Sequence, residues 1–327
     1  MKRARFFGSM MRYGAVAAAV LAIAGCGGGG GGSDGGATID ITAANEDTLA
    51  HAAAVGVQGG LLLDTAGELA LRTRDTALDV LRRPAAGSPR ERAQAMMGPF
   101  TEPCGIAGTH SMMFDDQNND GQLGIGEAVN VQLVACEDTA GEMMNGSMEL
   151  TITRVTMTGM TVESFGAMAT FGNLVLSDAG TGHAATYNGG ATLDVLGMST
   201  TAPVTRLTIT NALSIQVVNP PFDDTVTLRR AYLLEATSDL MAGTVRTTAQ
   251  GDIESRIAMG RVQLSTPQPI VQASTQPYPH QGQVELHGRT GSLTLSALPT
   301  NQIRIEADYD GNGTVDRLRD QDWSWLF

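Results

Sequence analysis

The feature that most limits the possible folds is an alternation of apolar and polar side chains through most of the chain after residue 108. Apolar residues two positions apart recur along it: Met148 and Leu150, Leu207 and Ile209, Val262 and Leu264, Val284 and Leu286, Leu293 and Leu295, Ile303 and Ile305. Side chains of a β-strand alternate between faces, so this period predicts strands with one buried and one solvated face. We expect a mainly β fold, a long antiparallel meander of at least about ten strands. The pattern leaves open a sandwich, a barrel-like form or an open curved sheet.

Two dipeptides in this region, Asn145-Gly146 and Asn188-Gly189, predict hairpin turns. Asn and Gly tolerate the positive φ that both central positions of a type I′ turn require. The sequences that follow the two dipeptides resemble each other weakly. The chain ends with three alternating aromatic residues, which predict an edge strand packed into the core: Trp323, Trp325 and Phe327.

Residues 45–83 are the substantial region with a helical pattern. Asn45 is a suitable N-cap, and Glu46 and Asp47 follow where the helix dipole favours acidic side chains. Glycines near residue 60 make two helices as reasonable as one. We expect this region to cover one face of the sheet.

The first 26 residues resemble a bacterial lipoprotein leader. A basic start precedes an apolar run at residues 14–24, which is too short to span a bilayer comfortably. The run leads into Ile23-Ala24-Gly25-Cys26, which resembles a lipobox. The resemblance implies cleavage before Cys26, acylation of Cys26 and a lipid-anchored mature protein of the cell envelope. Gly27, where an Asp would retain a lipoprotein at the inner membrane of enteric bacteria, favours the outer membrane.

The expected organisation has four parts. These are a signal peptide in residues 1–25, the lipidated Cys with a Gly-rich tether in 26–36, a helical segment with a linker in 37–103, and an antiparallel β domain in 104–327. A tether that is nearly all glycine has no side chains to pack and predicts a flexible coil.

The mature chain is strongly acidic. Four of the 21 basic residues and none of the 34 acidic residues lie in residues 1–25, so the remainder has a formal charge of −17. Such a charge disfavours nucleic acid as a partner and suits a protein that binds cations.

Residues 116–127, DQNNDGQLGIGE, resemble the EF-hand calcium loop position by position. Calcium takes six to eight hard oxygen ligands, which alternate short side chains, one carbonyl and a closing bidentate carboxylate can supply. By that resemblance the ligands are Asp116, Asn118, Asp120, the carbonyl of Gln122, and Glu127. The sequence on either side alternates, so we expect a calcium-stabilised β-hairpin instead of the usual pair of helices.

A second acidic stretch, residues 308–316, resembles the DxDxDGxxD calcium loop of secreted bacterial proteins. The resemblance implies ligands from Asp308, Asp310, Asn312, the Thr314 carbonyl and Asp316. Position 12 would be an arginine, so this site lacks the bidentate closure unless Asp320 or Asp322 supplies it.

Apart from Cys26, the chain has two cysteines, Cys104 and Cys136. An even pair in an oxidising compartment predicts a disulfide. Zinc is disfavoured there, because no histidine stands at a typical ligand spacing from either cysteine.

No recognised catalytic motif is present in the sequence, neither a nucleophile elbow, nor a zinc-protease helix, nor a phosphate loop. We therefore expect a non-enzymatic binding or scaffold module of the envelope, with an envelope protein, a glycan or a lipophilic ligand as partner. The alternatives are a carrier with a lipophilic ligand in a β cavity and a hydrolase with an unrecognised carboxylate site. A hollow apolar interior would favour the carrier, and a cleft with two converging carboxylates the hydrolase.

Overall fold

The computed structural model describes residues 36–58, 99–115, 117, 124–158, 161–180, 182–218, 223–273, 275–276 and 278–326. Within them lie one helix, α1 (Glu46–Gln58), and fifteen strands. The strands are β1 (Phe100–Pro103), β2 (Ala107–Asp115), β3 (Ala128–Thr139), β4 (Glu142–Thr158), β5 (Thr161–Asp178), β6 (His183–Leu196), β7 (Val204–Val218), β8 (Asp224–Arg229), β9 (Leu233–Asp239), β10 (Thr244–Ser255), β11 (Gly260–Ala273), β12 (Gln281–His287), β13 (Ser292–Leu298), β14 (Gln302–Asp308) and β15 (Arg317–Asp322). The prediction of a mainly β fold with an N-terminal helix is confirmed; residues 59–83 of the predicted helical region lie outside the described residues.

All the strands form a single sheet in which chain neighbours pair antiparallel. The exception to strict sequence order is the pair β8 and β9, which together fill one position between β7 and β10. The break between them turns at Ala231, whose φ is +66°, and puts Tyr232 fully into the core. The meander is therefore one continuous hydrogen-bonded sheet. β2 and β3 pair with each other around residues 116–127, as the alternating flanks predict.

The predicted turns at Asn145-Gly146 and Asn188-Gly189 are wrong, because both dipeptides lie inside strands, β4 and β6. The pairing register shifts at each of them, which marks a β-bulge. Gly146 has φ +116° and Gly189 has φ +132°. A Cβ on either would lie within 2.2 Å of a carbonyl oxygen on the next strand, so only glycine fits. The positive φ that would suit a hairpin turn occurs here in a β-bulge within the strand.

The core lies on the face of the sheet against which α1 packs. Leu49, Ala52 and Ala53 of α1 are fully buried, and the helix contacts β8, β10, β12 and β13. The predicted N-cap, Asn45, stands just before the helix, but its side-chain oxygen accepts the Thr42 amide at 2.8 Å instead of an amide of the first turn. Among the described residues no helix is both long enough and apolar enough to cross a membrane.

Residues 36–45 lead into α1 by crossing two hairpin turns at one end of the sheet. Thr38 exchanges hydrogen bonds with the backbone of Arg261, at the start of β11, with both distances 2.9 Å. Asp40 accepts from the guanidinium of Arg289, in the β12–β13 turn, at 3.1 and 2.5 Å. This pairing lowers the pKa of Asp40 to about 2. We call the end of the sheet that holds these turns the proximal end, and the opposite end the distal end.

The C-terminal aromatic residues do not form the predicted edge strand. Trp323–Trp325 is a single 3₁₀ turn after β15. The Trp323 amide donates to Asn301 in the β13–β14 turn at 3.2 Å, and its ring is buried. Phe327 lies outside the described residues.

Candidate metal centres

The β14–β15 connection at the proximal end holds the second acidic stretch, residues 308–316. Asp308, at the end of β14, accepts the Gly311 amide at 2.8 Å and the Gly313 amide at 2.7 Å, one with each carboxylate oxygen. Burial raises the pKa of Asp308, but its hydrogen bonds, led by those from the Gly313 and Gly311 amides, together lower it by more, so the pKa lies below its ordinary value. The loop is thus wound around an ionised carboxylate.

Three of the predicted ligands converge in this loop. Asp308, Asp310 and Asp316 each offer a carboxylate oxygen, and these oxygens lie within 4.8 Å of one another. Asn312 lies beside them, since its amide group donates to Asp310 at 2.9 Å and its own oxygen accepts the Thr314 amide at 2.7 Å. Carboxylate and amide oxygens are the hard donors that Ca²⁺ prefers, so the residues present fit that ion.

Asp320 and Asp322 are the two residues that the sequence offered as a bidentate ligand to close this site. Asp320 is paired with Arg304 at 2.8 and 3.0 Å. That pairing lowers the pKa of Asp320, and its carboxylate is not available to the loop. Asp322 lies at the end of β15, next to the 3₁₀ turn. The candidate ligands are therefore the five that the sequence predicts within residues 308–316, namely Asp308, Asp310, Asn312, the Thr314 carbonyl and Asp316.

The same loop is joined to the start of α1 by a buried carboxylate, Glu46, which is 1% exposed. The Tyr309 hydroxyl donates to it at 2.6 Å, and the guanidinium of Arg317 lies 2.7 Å from it. Arg319 approaches within 3.4 Å, bonds Asp47 and lies over the Trp325 ring. This cluster, which connects residues more than 260 positions apart, is invisible to motif reading. The acidic residues at the helix start were its only signal.

The first acidic stretch, residues 116–127, is described only in part. Asp116, Asn118, Asp120 and Gln122 lie outside the described residues, whereas Glu127 lies within them. Its side chain is 3% exposed. One carboxylate oxygen accepts the Gly124 amide at 2.6 Å, and the other has no hydrogen-bond partner in the described part of the chain. A buried carboxylate oxygen without a partner is costly, and a cation would satisfy it.

The two acidic stretches stand at opposite ends of the sheet. Residues 116–127 join Asp115 to Ala128 at the distal end, whereas residues 308–316 are at the proximal end, as strand pairing through the meander requires. Any ion held by one stretch therefore acts on different hairpins from an ion held by the other.

Cys104 and Cys136 are joined by a disulfide at the proximal base of the β2–β3 hairpin, with a Cα–Cα distance of 5.5 Å. No histidine stands at a typical ligand spacing from the cysteines in the sequence, but the structure places one beside the bridge. Nδ1 of His110 lies 3.8 Å from Cys104 Sγ, because His110 on β2 faces the same side as the bridge. Spacing along the sequence did not indicate this contact, and a bulge at Gly108 lies between the two residues.

A groove of about 420 Å³ lies on the outer face of strands β2 to β5. It is lined mainly by hydroxyl, amide and methionine side chains, including Ser111, Met113, Gln132 and Thr170. Among the lining residues that the structure describes, Glu149 is the one ionisable side chain. The described part of the lining therefore offers hydrogen-bonding groups and one carboxylate, whereas acid–base hydrolysis uses a pair.

Comparison with protein-family models, with curated proteins and with solved structures finds no match for this chain. Cys26, the predicted site of acylation, lies outside the described residues.

Proposed function

We propose that this chain is a lipid-anchored protein of the cell envelope, attached through Cys26 and placed at the outer membrane. It is a non-catalytic binding or scaffold module whose sheet is stabilised by calcium at both ends. Its partners are the membrane and, at the exposed face, an envelope protein, a glycan or a lipophilic ligand; its charge does not suit nucleic acid.

The observation that carries the calcium proposal is the convergence of Asp308, Asp310 and Asp316 within 4.8 Å. Like charges at that separation repel one another, and a divalent cation removes the repulsion. Asn312 and the Thr314 carbonyl belong to the same loop and complete an all-oxygen set. The carboxylates bind amides of their own loop, which suits fixed coordination better than proton transfer.

One carboxylate oxygen of Glu127 has no hydrogen-bond partner among the described residues, which supports a second ion in residues 116–127. By the EF-hand resemblance, Glu127 closes a loop that begins with Asp116, Asn118, Asp120 and the Gln122 carbonyl. An ion there would staple the distal tip of the β2–β3 hairpin, while the disulfide ties its proximal base.

The scaffold role is preferred to a carrier because α1 fills the apolar face that it contacts. Leu49, Ala52 and Ala53 have no exposed surface, and the sheet residues beneath them, such as Ile253 and Leu264, are equally buried. Apolar atoms in close contact leave no room for a ligand at that place.

The test is a thermal melt of the chain without residues 1–26, in calcium, in magnesium and in chelator. An ion that binds only the folded state stabilises it by RT ln(1 + [L]/Kd), which is about 1.5–3 kcal/mol per site at ~10 mM calcium for a Kd of ~0.1–1 mM. Magnesium should give a smaller increment, because it demands a stricter octahedron.

Two variants show how much of the stabilisation by calcium comes from each loop. Asp310→Asn keeps an oxygen for the Asn312 amide but removes a charge, and Glu127→Ala removes the closing carboxylate of the other loop; each should lose part of the calcium increment. Asp194→Asn is the matched control, because Asp194 is a carboxylate paired with Arg154 at 2.7 Å, outside both loops. A melting temperature that calcium does not move, or an equal loss in the control, would refute calcium binding.

A further inference from the structure

The described chain begins at the proximal end of the sheet. The Gly36 carbonyl accepts a hydrogen bond from the Arg261 side chain at 2.9 Å, and Thr38 is paired with the backbone of the same residue. Nine residues, 27–35, lie between Cys26 and Gly36, so the covalent chain that joins the two residues spans at most roughly 35 Å. The point at which the proposed lipid anchor joins the folded body is therefore fixed at this end.

Beside that point the β10–β11 turn, residues 256–259, projects two apolar side chains. Met259 is 85% exposed and Ile257 is 45% exposed. Arg256, the first residue of the turn, is also exposed. An arginine beside apolar side chains suits the boundary between phosphate headgroups and acyl chains, since the guanidinium can bind phosphate while its neighbours enter the apolar layer.

Exposure of apolar residues alone does not decide which end meets a membrane. Leu240 and Met241, in the β9–β10 turn at the distal end, are exposed to a similar degree, with Met241 at 83%. The two turns differ in their distance from the proposed lipid anchor. The twelve residues of β10 separate the two turns by roughly 40 Å at ~3.3 Å per residue. In an upright orientation with the distal turn at the bilayer, Gly36 would lie roughly 40 Å from the lipid, farther than the roughly 35 Å that the chain from Cys26 can span.

We propose that the proximal end faces the lipid bilayer, with Ile257 and Met259 at the headgroup boundary and the distal end directed away from it. The proposal rests on the acylation of Cys26 proposed above and specifies the surface that the anchored protein turns towards the lipid. The distal end and residues 116–127 are then the parts most accessible to other molecules of the envelope.

The experiment uses the full-length, acylated protein with one cysteine introduced at a time. Met259→Cys and Met241→Cys form a matched pair, because the two methionines are almost equally exposed at opposite ends. Met168→Cys, at a half-exposed position on β5, reports a protein that lies on its side. Each variant is labelled with a thiol-reactive fluorophore and reconstituted into vesicles of phosphatidylethanolamine and phosphatidylglycerol, with and without a nitroxide-labelled lipid that quenches the fluorophore.

The expected result is strong quenching at position 259 and little at positions 241 and 168. Quenching at 241 or 168 equal to that at 259, or no quenching at 259, overturns the proposed orientation. Flotation of the labelled protein with the vesicles separates the two levels of failure. Protein that floats but shows the wrong quenching pattern refutes the orientation alone, whereas protein that does not float refutes the lipid anchor and with it the orientation.

Discussion

We expect His51 to make the docking of α1 sensitive to pH. It lies in the middle of the helix and is 2% exposed. Burial lowers its pKa from 6.5 to about 4; the charge of Asp224 opposes the shift and that of His183 adds to it. Asp224 is itself buried and accepts from Ser255 Oγ, the Thr225 amide and the Ile257 amide. Its charge is thus shared among fixed donors and does not outweigh the burial of the imidazole.

The direction of the pH effect on the free energy of unfolding follows from the protonation of His51 in the folded and unfolded states. Below pH 6.5 the unfolded chain takes up a proton at His51 that the folded chain refuses, so the free energy of unfolding falls as the pH falls from about 6.5 to about 4. At 1.36 kcal/mol per pH unit, the loss is about 1.4 kcal/mol at pH 5.5 and about 2.6 kcal/mol at pH 4.5. Above pH 6.5 this contribution is fully present.

The assay is urea unfolding of the chain without residues 1–26, followed by tryptophan fluorescence at pH 7, 5.5 and 4.5 in constant chelator. Other groups also titrate in this range, so the quantity to measure is the difference between wild type and His51→Gln. The variant should be less pH-dependent by the amounts above. His287→Gln, at a half-exposed histidine on β12, keeps His51 and should follow wild type. Equal pH dependence of wild type and His51→Gln would refute a neutral, buried imidazole.

Two further predictions use the same unfolding assay at pH 7. Glu46→Gln removes the buried charge that faces Arg317 and should cost about 1.5–3 kcal/mol, whereas Asp47→Asn, at a half-exposed carboxylate, should cost less than about 1 kcal/mol; equal losses would contradict the buried pair. Replacing both Cys104 and Cys136 by Ala should cost about 3–4 kcal/mol for the loop that the bridge closes, and alkylation of the unfolded, unreduced protein should detect neither thiol; labelled thiols would show that the bridge is absent.

The sequence predicted strands well because burial on one face leaves a direct trace in the order of side chains. It failed at Asn145-Gly146 and Asn188-Gly189 because a turn and a bulge ask for the same backbone. Both need a residue that accepts positive φ. What decides between them is the partner strand, and the Asn188 side chain shows this by accepting the amide of Asn173 on β5 at 2.8 Å. That partner is not adjacent in the sequence.

Of the candidate metal centres, the sequence could predict the loop residues but not their surroundings. The spacing from Asp308 to Asp316 is local, and three of those carboxylates do converge. The buried pair of Glu46 with Arg317 joins two segments that no local pattern connects, and the contact of His110 with Cys104 spans a bulge. Long-range charge pairs and bulges are properties of the assembled sheet, so single-sequence periodicity carries no trace of them.

The position of Glu46 makes the two ends of the chain depend on each other. An antiparallel meander is built from local hairpins, so its strands need little help to find their neighbours; an N-terminal helix on its face has no such local partner. Here the helix start is held by Tyr309 and Arg317, each of which directly follows a carboxylate of the converging set, Asp308 and Asp316. A cation that fixes those carboxylates would also fix the two side chains that hold Glu46. Calcium at this loop would therefore stabilise the docking of α1 as well as the β14–β15 connection, and the stabilisation would extend to the segment that leads to the proposed lipid anchor.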